Sequence, residues 1–173
     1  IVLMVCCTFF AKGFNVLHHI FPVNVTYNMC LAIDRQIRND NYLETSKDFT
    51  FEATSSHAAD EEETYVMVIG ETARAMNFGV YGYERPTTPY LERDSNVVVY
   101  RDAVTESNTT HKSVPMLLSA ISAQNFGDIY KQKSIITAFK EDGFHTIFLS
   151  NQRPNHSFID YFGEEADYYE FTK

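Results

Sequence analysis

An apolar run that stops abruptly at a carboxylate constrains this chain more than any other feature. Val66-Met67-Val68-Ile69 is short and uniformly apolar, which is typical of a strand buried inside a parallel sheet, and Gly70-Glu71 follows directly. Further along, Ser107 to Leu117 begins as a hydroxyl-rich loop and continues as an apolar, helix-compatible segment. A carboxylate after a buried strand and a hydroxyl at a helix start can together build a metal-activated oxygen nucleophile. The pairing therefore indicates phosphoryl-group transfer.

Composition bounds the class of protein. The 173 residues are enough for one core of ordinary domain size, and 45% of them are hydrophobic. The net charge of −9 argues against a nucleic-acid binder, which would show a basic face. All three cysteines, Cys6, Cys7 and Cys30, lie far from the candidate site, so a cysteine-based zinc site is not expected there.

The first 63 residues differ from the rest. Residues 1–23 are largely apolar, but Lys12 interrupts them, so the apolar run is shorter than the ~20 residues that a full membrane span needs. They are interpreted as the end of a transmembrane helix, with a buried helix of a soluble domain as the alternative. Residues 24–63 are predicted to be an amphipathic connecting segment, with a helix over Tyr27–Arg38, followed by a small, acidic linker. The catalytic domain is expected to begin at residue 64 and to include residues 64–173.

From residue 64 onward, strand and helix patterns alternate, which predicts an α/β sheet with helices on its faces. The predicted strands are Tyr65–Ile69, Asn96–Tyr100 and His145–Leu149, and the predicted helices are Ser113–Ile121 and Ser134–Lys140. Ligands of such sheets bind at the carboxyl ends of the strands. Glu71, the loop of residues 105–110 and Ser150-Asn151 all fall at such ends.

Each candidate site residue also has an ordinary structural reading. Glu71 could bind a cation, cap the next helix or pair with Arg74. Thr109 and Thr110 could be nucleophiles activated by a metal, or plain N-caps of the helix that follows. Pro115 is tolerated only in the first turn of a helix, so the helix start is expected near Ser113 rather than at Thr110.

Further polar residues extend the list of candidates. Asn108, His111 and Lys112 are candidate substrate-binding residues, and a solvated loop is the alternative for the last two. His145 is predicted to be a packed core histidine. His156 and Asp160 are four residues apart, a spacing that can place two metal ligands on one helix face.

Two motifs together resemble the phosphoethanolamine transferase family of the alkaline phosphatase/sulfatase superfamily. Val68 to Ala75 is similar to the family signature V-x-G-E-T-A-R-A, and Asn77 to Tyr83 continues the likeness. Thr110 to Pro115 reads T-H-K-S-V-P and is similar to the nucleophile segment T-x-x-S-V-P. Phe148 to Gln152 resembles the end of the family's next strand. Joint matches of this length rarely arise by chance.

The resemblance implies both a fold and an activity. It implies a sulfatase-like sheet flanked by helices, in an enzyme of the bacterial inner membrane whose catalytic domain lies in the periplasm. Phosphoethanolamine would pass from phosphatidylethanolamine to lipid A, lipopolysaccharide core or another surface glycan. Thr110 would be the nucleophile and, with Glu71, a ligand of Zn²⁺, and a covalent phospho-threonine intermediate would form.

The chain also departs from the family pattern. The family's remaining zinc ligands, an Asp-His pair and a further His, are expected downstream of Lys173, so the sheet is expected to be incomplete at its C-terminal side. Another membrane-anchored member of the superfamily, a phosphoglycerol transferase or a sulfatase, is an alternative, as is a polypeptide inactive on its own. Sulfatases need C/S-x-P-x-R, and Ser113-Val114-Pro115-Met116-Leu117 lacks the arginine.

Overall fold

The computed structural model describes residues 20–56 and 62–173, and these form parts of two compact units. The first unit contains the described residues up to Phe49 together with Gly127–Gln132, and the second contains those from Thr50 to Phe126 and from Lys133 to Lys173. Almost all of the segment interpreted as the end of a transmembrane helix lies outside the described residues, as does part of the predicted linker.

A long amphipathic helix dominates the described part of the first unit. Helix α1 (Val23–Asp40) contains the predicted Tyr27–Arg38 helix and extends beyond it at both ends. Its apolar residues recur every four positions and are exposed, at Val25, Met29, Ile33 and Ile37. Arg38 Nε lies 2.9 Å from Asp34 Oδ2 one turn earlier, an exposed ion pair. None of the helices in the described ranges combines the length and the apolarity that crossing a membrane requires.

Tyr42 is the buried anchor of the first unit. It begins the short helix α2 (Tyr42–Thr45), is almost fully buried and donates its hydroxyl to the carbonyl of Gln132 at 2.9 Å. Ile129, in the 3₁₀ turns of Phe126–Lys131, is also fully buried. Ser46 is buried as well, and its hydroxyl donates to the Tyr42 carbonyl at 2.8 Å, so the polar group is satisfied.

The second unit contains helices on a small parallel sheet. Its elements, in chain order, are the 3₁₀ turns Ala75–Asn77 and Gly79–Tyr81, α3 (Pro89–Arg93), α4 (Thr110–Leu118), α5 (Ile135–Glu141), β1 (Ile147–Ser150), α6 (Phe158–Gly163) and β2 (Tyr168–Phe171). β1 and β2 are parallel, with Ile147 opposite Tyr168 and Ser150 opposite Phe171. Helix α6 makes the crossover between them, as parallel neighbours require. The predicted α/β class with flanking helices is confirmed.

Helix α4 packs against helix α6, and this contact organises the core. Leu118 from the end of α4, Ile121 just after it, and Phe158 and Phe162 from α6 are all buried. Gly163 ends α6 and lies against the ring of Phe148. A Cβ added to Gly163 would lie only 2.6 Å from two ring carbons of Phe148. The crossover helix can therefore lie close to β1 only with glycine at this position.

Two of the three predicted strands do not form. Residues 65–69 and 96–100 have no strand assignment, and most of their apolar side chains are exposed, Val66 by 80% and Val98 by 74%. A strand exists only when a neighbour pairs with its backbone, and the described residues provide no such neighbour for either run. The third strand forms two residues later than predicted, so His145 precedes β1 and is exposed rather than packed in the core.

Helix boundaries correct one further prediction. Helix α4 begins at Thr110 rather than near Ser113, and Pro115 lies inside it. Pro115 has no N–H to donate to the His111 carbonyl, so one helical hydrogen bond is missing there. Helix α5 follows its prediction closely: the Ser134 hydroxyl caps it by accepting from the Ile136 N–H, and Gly143, with φ of +92°, lies just after it.

Asp167 is predicted to make the second unit sensitive to acid. Hydrogen bonds to the Asp167 carboxylate lower its pKa from 3.8 to about 2. The backbone N–H of Thr146 has the largest effect, and the Lys140 ammonium and the Thr146 hydroxyl come next. A lowered pKa in the folded state contributes stability above the unfolded value, and that stability is lost as the pH falls from about 4 towards 2. We expect Asp167→Asn to flatten the pH dependence of the unfolding midpoint in this window.

Urea titrations at a series of acidic pH values measure this effect. Asp102→Asn, which removes the same charge from an exposed bend, is the matched control. In this variant the unfolding midpoint should change with pH as it does in the wild type. An unchanged slope in Asp167→Asn would show that the contacts of this carboxylate with Thr146 and Lys140 do not stabilise the fold.

Candidate active site

The structure brings Glu71 and Thr110 together across 39 residues of sequence. The Thr110 hydroxyl donates to Glu71 Oε1 at 3.1 Å. Glu71 lies two residues beyond the apolar run of residues 65–69, and Thr110 is the first residue of α4. The nucleophile candidate therefore has a carboxylate at hydrogen-bonding distance, the separation at which such a group can orient or accept a proton.

The structure also distinguishes Thr110 from its neighbour. Thr109 occupies the N-cap position of α4, but its side chain makes no capping bond and lies 3.2 Å from the Ser107 hydroxyl instead. Thr110 is half-buried at the helix start, where the first backbone N–H groups have no acceptor within the helix. An anion at the Thr110 hydroxyl would meet these N–H groups and the positive end of the helix dipole.

Two more side chains hold the Glu71 carboxylate. Gln152, two residues beyond the end of β1, donates its Nε2 to Glu71 Oε2 at 2.9 Å, and the Thr72 hydroxyl donates to Oε1 at 3.2 Å. Thr72 has φ of +54°, in the left-handed region that costs a non-glycine residue about 1–3 kcal/mol and that is concentrated at functional sites. From the sequence, neither Gln152 nor Thr72 is assigned a role. The position of Gln152 just beyond the end of a predicted strand was the one signal that it could lie at the site.

This cluster lines a large open cavity. The cavity measures about 940 Å³, and Glu71, Thr110 and Gln152 are its polar lining near the hydroxyl. The rest of the wall is mostly apolar and comes from the run at residues 65–69, from α5 and β1, and from Ile159. An apolar cavity with a few converging polar groups is the usual form of a ligand site.

Asn108, His111 and Lys112 do not join the cluster. All three are exposed, and within the described ranges none of them takes part in the hydrogen bonds around Glu71. The Lys112 ammonium lies 6.0 Å from the centre of the Phe126 ring, at the limit of a cation–π contact. Their assignment as substrate-binding residues stays a prediction, with Lys112 as the cation next to the start of α4.

His156 and Asp160 do not lie on one helix face, as their spacing had suggested. His156 precedes α6 and has φ of +57°, and its backbone N–H donates to Asp160 Oδ2 at 2.7 Å. The Asn155 N–H donates to the same oxygen at 2.6 Å. Asp160 is buried, so its carboxylate anchors the loop ahead of the helix and does not face a solvent-borne ion.

Two of the described side chains offer oxygen atoms that a zinc ion could use. Glu71 and Thr110 place two oxygen atoms 3.1 Å apart, and carboxylate oxygen is an accepted ligand of zinc. Zinc normally takes four ligands, whereas no group of three or more His, Cys, Asp or Glu side chains converges within residues 20–56 and 62–173. The donor chemistry therefore fits zinc for two positions of the coordination sphere.

Comparison with known proteins identifies the family. A family model described as Sulfatase matches residues 63–173, more than half of the chain, and the chain belongs to that family. No solved structure shows a significant match. The resemblance recognised from the sequence motifs is confirmed at the level of the sulfatase domain and of homology to proteins that carry the name phosphoethanolamine transferase.

Three relatives illustrate that homology. Kdo(2)-lipid A phosphoethanolamine 7''-transferase of Escherichia coli K12 is 30% identical over 122 residues, 69% of this chain and 21% of the relative. Phosphoethanolamine transferase EptC of the same strain is 32% identical over 101 residues, 56% and 17% of the two chains. Phosphoethanolamine transferase CptA of Salmonella typhimurium is 29% identical over 101 residues, 56% and 18%. The chain spans about a fifth of the length of these curated relatives.

The 173-residue chain is expected to bind zinc only weakly at Glu71. Four-ligand zinc sites supply about 10–16 kcal/mol, so two oxygen ligands should give an apparent Kd above about 1 μM. Isothermal calorimetry of zinc binding to the wild type and to Glu71→Gln measures how much of the zinc affinity depends on Glu71. Glu84→Gln, at an exposed position, is the control. Tight one-to-one binding that Glu71→Gln abolishes would contradict the expectation.

Proposed function

We propose that this chain is part of a phosphoethanolamine transferase that acts through a covalent intermediate on Thr110. The observation that carries the proposal is the 3.1 Å hydrogen bond from the Thr110 hydroxyl to Glu71, inside the two segments that match the family motifs. The names of the relatives, which specify phosphoethanolamine transfer, support the choice of group.

In the first step, Thr110 Oγ attacks the phosphorus of phosphatidylethanolamine. A new P–O bond forms to the threonine, the P–O bond to diacylglycerol breaks, and the released alkoxide takes up a proton to give diacylglycerol. Glu71 Oε1, the acceptor of the Thr110 hydrogen bond, directs the hydroxyl and is placed to receive its proton. Zn²⁺, when bound, would stabilise the deprotonated threonine and the charge on the phosphoryl oxygens.

In the second step, a hydroxyl or phosphate of the acceptor attacks the same phosphorus and Thr110 leaves. The group is transferred to the acceptor, and Thr110 regains its proton. The N–H groups at the start of α4 lie beside the reacting hydroxyl and can hold the phosphoryl oxygens through both steps. We propose lipid A, lipopolysaccharide core or another surface glycan as the acceptor, in line with the lipid A acceptor in one relative's name.

The donor is a membrane lipid, and this sets the proposed location. An enzyme that takes a headgroup from phosphatidylethanolamine must meet a bilayer surface, and the family that the motifs resemble consists of inner-membrane enzymes with a periplasmic catalytic domain. We therefore propose a bacterial inner-membrane protein whose catalytic domain faces the periplasm.

Sulfate-ester hydrolysis is a second candidate, because the matching family model is that of the sulfatases. Its nucleophile would have to be Ser113, which precedes Pro115 by two residues. The hydroxyl within hydrogen-bonding distance of Glu71 is that of Thr110, while Ser113 lies one turn further into α4. The position of the carboxylate therefore favours the transferase.

Thr110→Ala in the intact native protein is expected to reduce phosphoethanolamine transfer by roughly 10³-fold or more, because the nucleophile is removed. Thr110→Ser, which keeps a hydroxyl, should retain part of the activity. Thr109→Ala is the matched control, since the Thr109 hydroxyl pairs with Ser107 rather than with Glu71, and it should stay near the wild type. Mass spectrometry of surface lipids and surface glycans measures transfer.

Wild-type transfer by Thr110→Ala would contradict the assignment of the nucleophile. Loss of transfer in Thr109→Ala with activity kept in Thr110→Ala would move the nucleophile by one residue. Release of inorganic sulfate from an aryl sulfate, abolished by Ser113→Ala, would favour the sulfatase instead.

A further inference from the structure

We propose that Gln152 is a positioning residue, which fixes the Glu71 carboxylate so that Oε1 faces the Thr110 hydroxyl. The inference rests on the proposed function of Thr110 as the nucleophile. Gln152 donates its amide Nε2 to Glu71 Oε2 at 2.9 Å, while Thr110 donates to Oε1 at 3.1 Å. Each carboxylate oxygen is therefore assigned a different partner.

An exposed glutamate needs such a constraint. Glu71 is exposed to solvent, and its terminal torsion is broad and roughly two-fold, so nothing intrinsic to the side chain distinguishes the two oxygens. The Gln152 amide nitrogen can only donate, and it donates to Oε2. Its bond to Oε2 leaves Oε1 for the hydroxyls of Thr110 and Thr72. The orientation of the carboxylate thus depends on an amide from the loop that follows β1.

Hydrogen bonds at both ends of its loop hold Gln152 in place. Gln152 belongs to the loop between β1 and α6, and the Asn155 and His156 N–H groups of that loop both donate to the buried Asp160 carboxylate, at 2.6 and 2.7 Å. At the other end of the loop, the backbone N–H of Gln152 donates to the Ser150 hydroxyl at 3.2 Å.

The same helix pair also places the hydroxyl. Asp160 lies on α6, which packs against α4, and α4 begins at Thr110. The loop that carries Gln152 and the helix that carries Thr110 are therefore fixed to one frame. The buried Asp160 carboxylate thus ties the loop that carries Gln152 to the helix that packs on α4.

Gln152→Ala and Gln152→Glu separate positioning from simple packing. Alanine removes the amide, whereas glutamate keeps the size of the side chain but replaces the donor with a second carboxylate. If Gln152 acts as a donor, glutamate cannot rescue the function and should be no better than alanine, because two carboxylates would face each other. If Gln152 only fills space, the Glu variant should keep the activity that the Ala variant loses.

Steady-state transfer kinetics and zinc affinity of the intact native protein test the proposal. Removal of a group that orients a metal ligand typically costs about 10–100-fold, so we expect kcat to fall by that factor in both variants with KM nearly unchanged. Zinc affinity, measured by competition with a chromogenic chelator, should fall in parallel. Gln124→Ala, at an exposed glutamine after α4, is the control and should match the wild type.

Wild-type kcat and zinc affinity in Gln152→Ala would overturn the proposal, as would full rescue by glutamate. A rise in KM with kcat unchanged would also overturn it, because Gln152 would then bind substrate rather than orient Glu71. Gln152 is exposed, so the variants should keep the wild-type thermal midpoint. If Thr110→Ala is inactive and Gln152→Ala has wild-type activity, only the role of Gln152 is contradicted. If Thr110→Ala is active, the proposed function itself is contradicted.

Discussion

The hydrogen bond between the Thr110 hydroxyl and Glu71 is the interaction on which the candidate site depends. It joins two segments that are 39 residues apart, one at the end of an extended apolar run and the other at the start of α4. Three structural features surround it: the turn at Thr72 with its positive φ, the packing of α4 on α6, and the loop after β1, from which Gln152 donates to the same carboxylate. The core of the second unit thus supports a polar cluster at its surface, which contains a hydroxyl, a carboxylate and the N-terminus of α4.

Much of this cluster could be predicted from the sequence, because local chemistry determines it. The Gly70-Glu71 pair after a uniformly apolar run singled out the carboxylate, and the spacing to Pro115 in the family motif selected Thr110 over Thr109. The strand expected before Glu71 does not form among the described residues, yet Glu71 and Thr110 still lie within hydrogen-bonding distance. The role of Gln152 could not be predicted in this way, since it depends on how Asp160 anchors the loop, a contact between a helix side chain and backbone N–H groups that leaves no periodic signal.

The errors in the fold prediction have a common physical origin. Residues 65–69 and 96–100 carry strand-forming side chains, yet pairing depends on a neighbouring backbone, which propensity does not supply. His145 was assigned to the core because it lies in an apolar run, but the sheet begins two residues later. Pro115 was expected to delay the start of α4. The helix instead tolerates one missing hydrogen bond, because packing against α6 stabilises it and buries Pro115.

The most direct test of the account is to trap the covalent intermediate. The intact native protein is incubated with phosphatidylethanolamine in detergent without an acceptor, quenched in acid and digested, and the peptide that contains Thr109 and Thr110 is fragmented by mass spectrometry. The account predicts a phosphoethanolamine group on Thr110, absent from Glu71→Gln and present in Thr109→Ala. A modification on Thr109 or Ser113, or an unmodified peptide from an enzyme that still releases diacylglycerol, would contradict it.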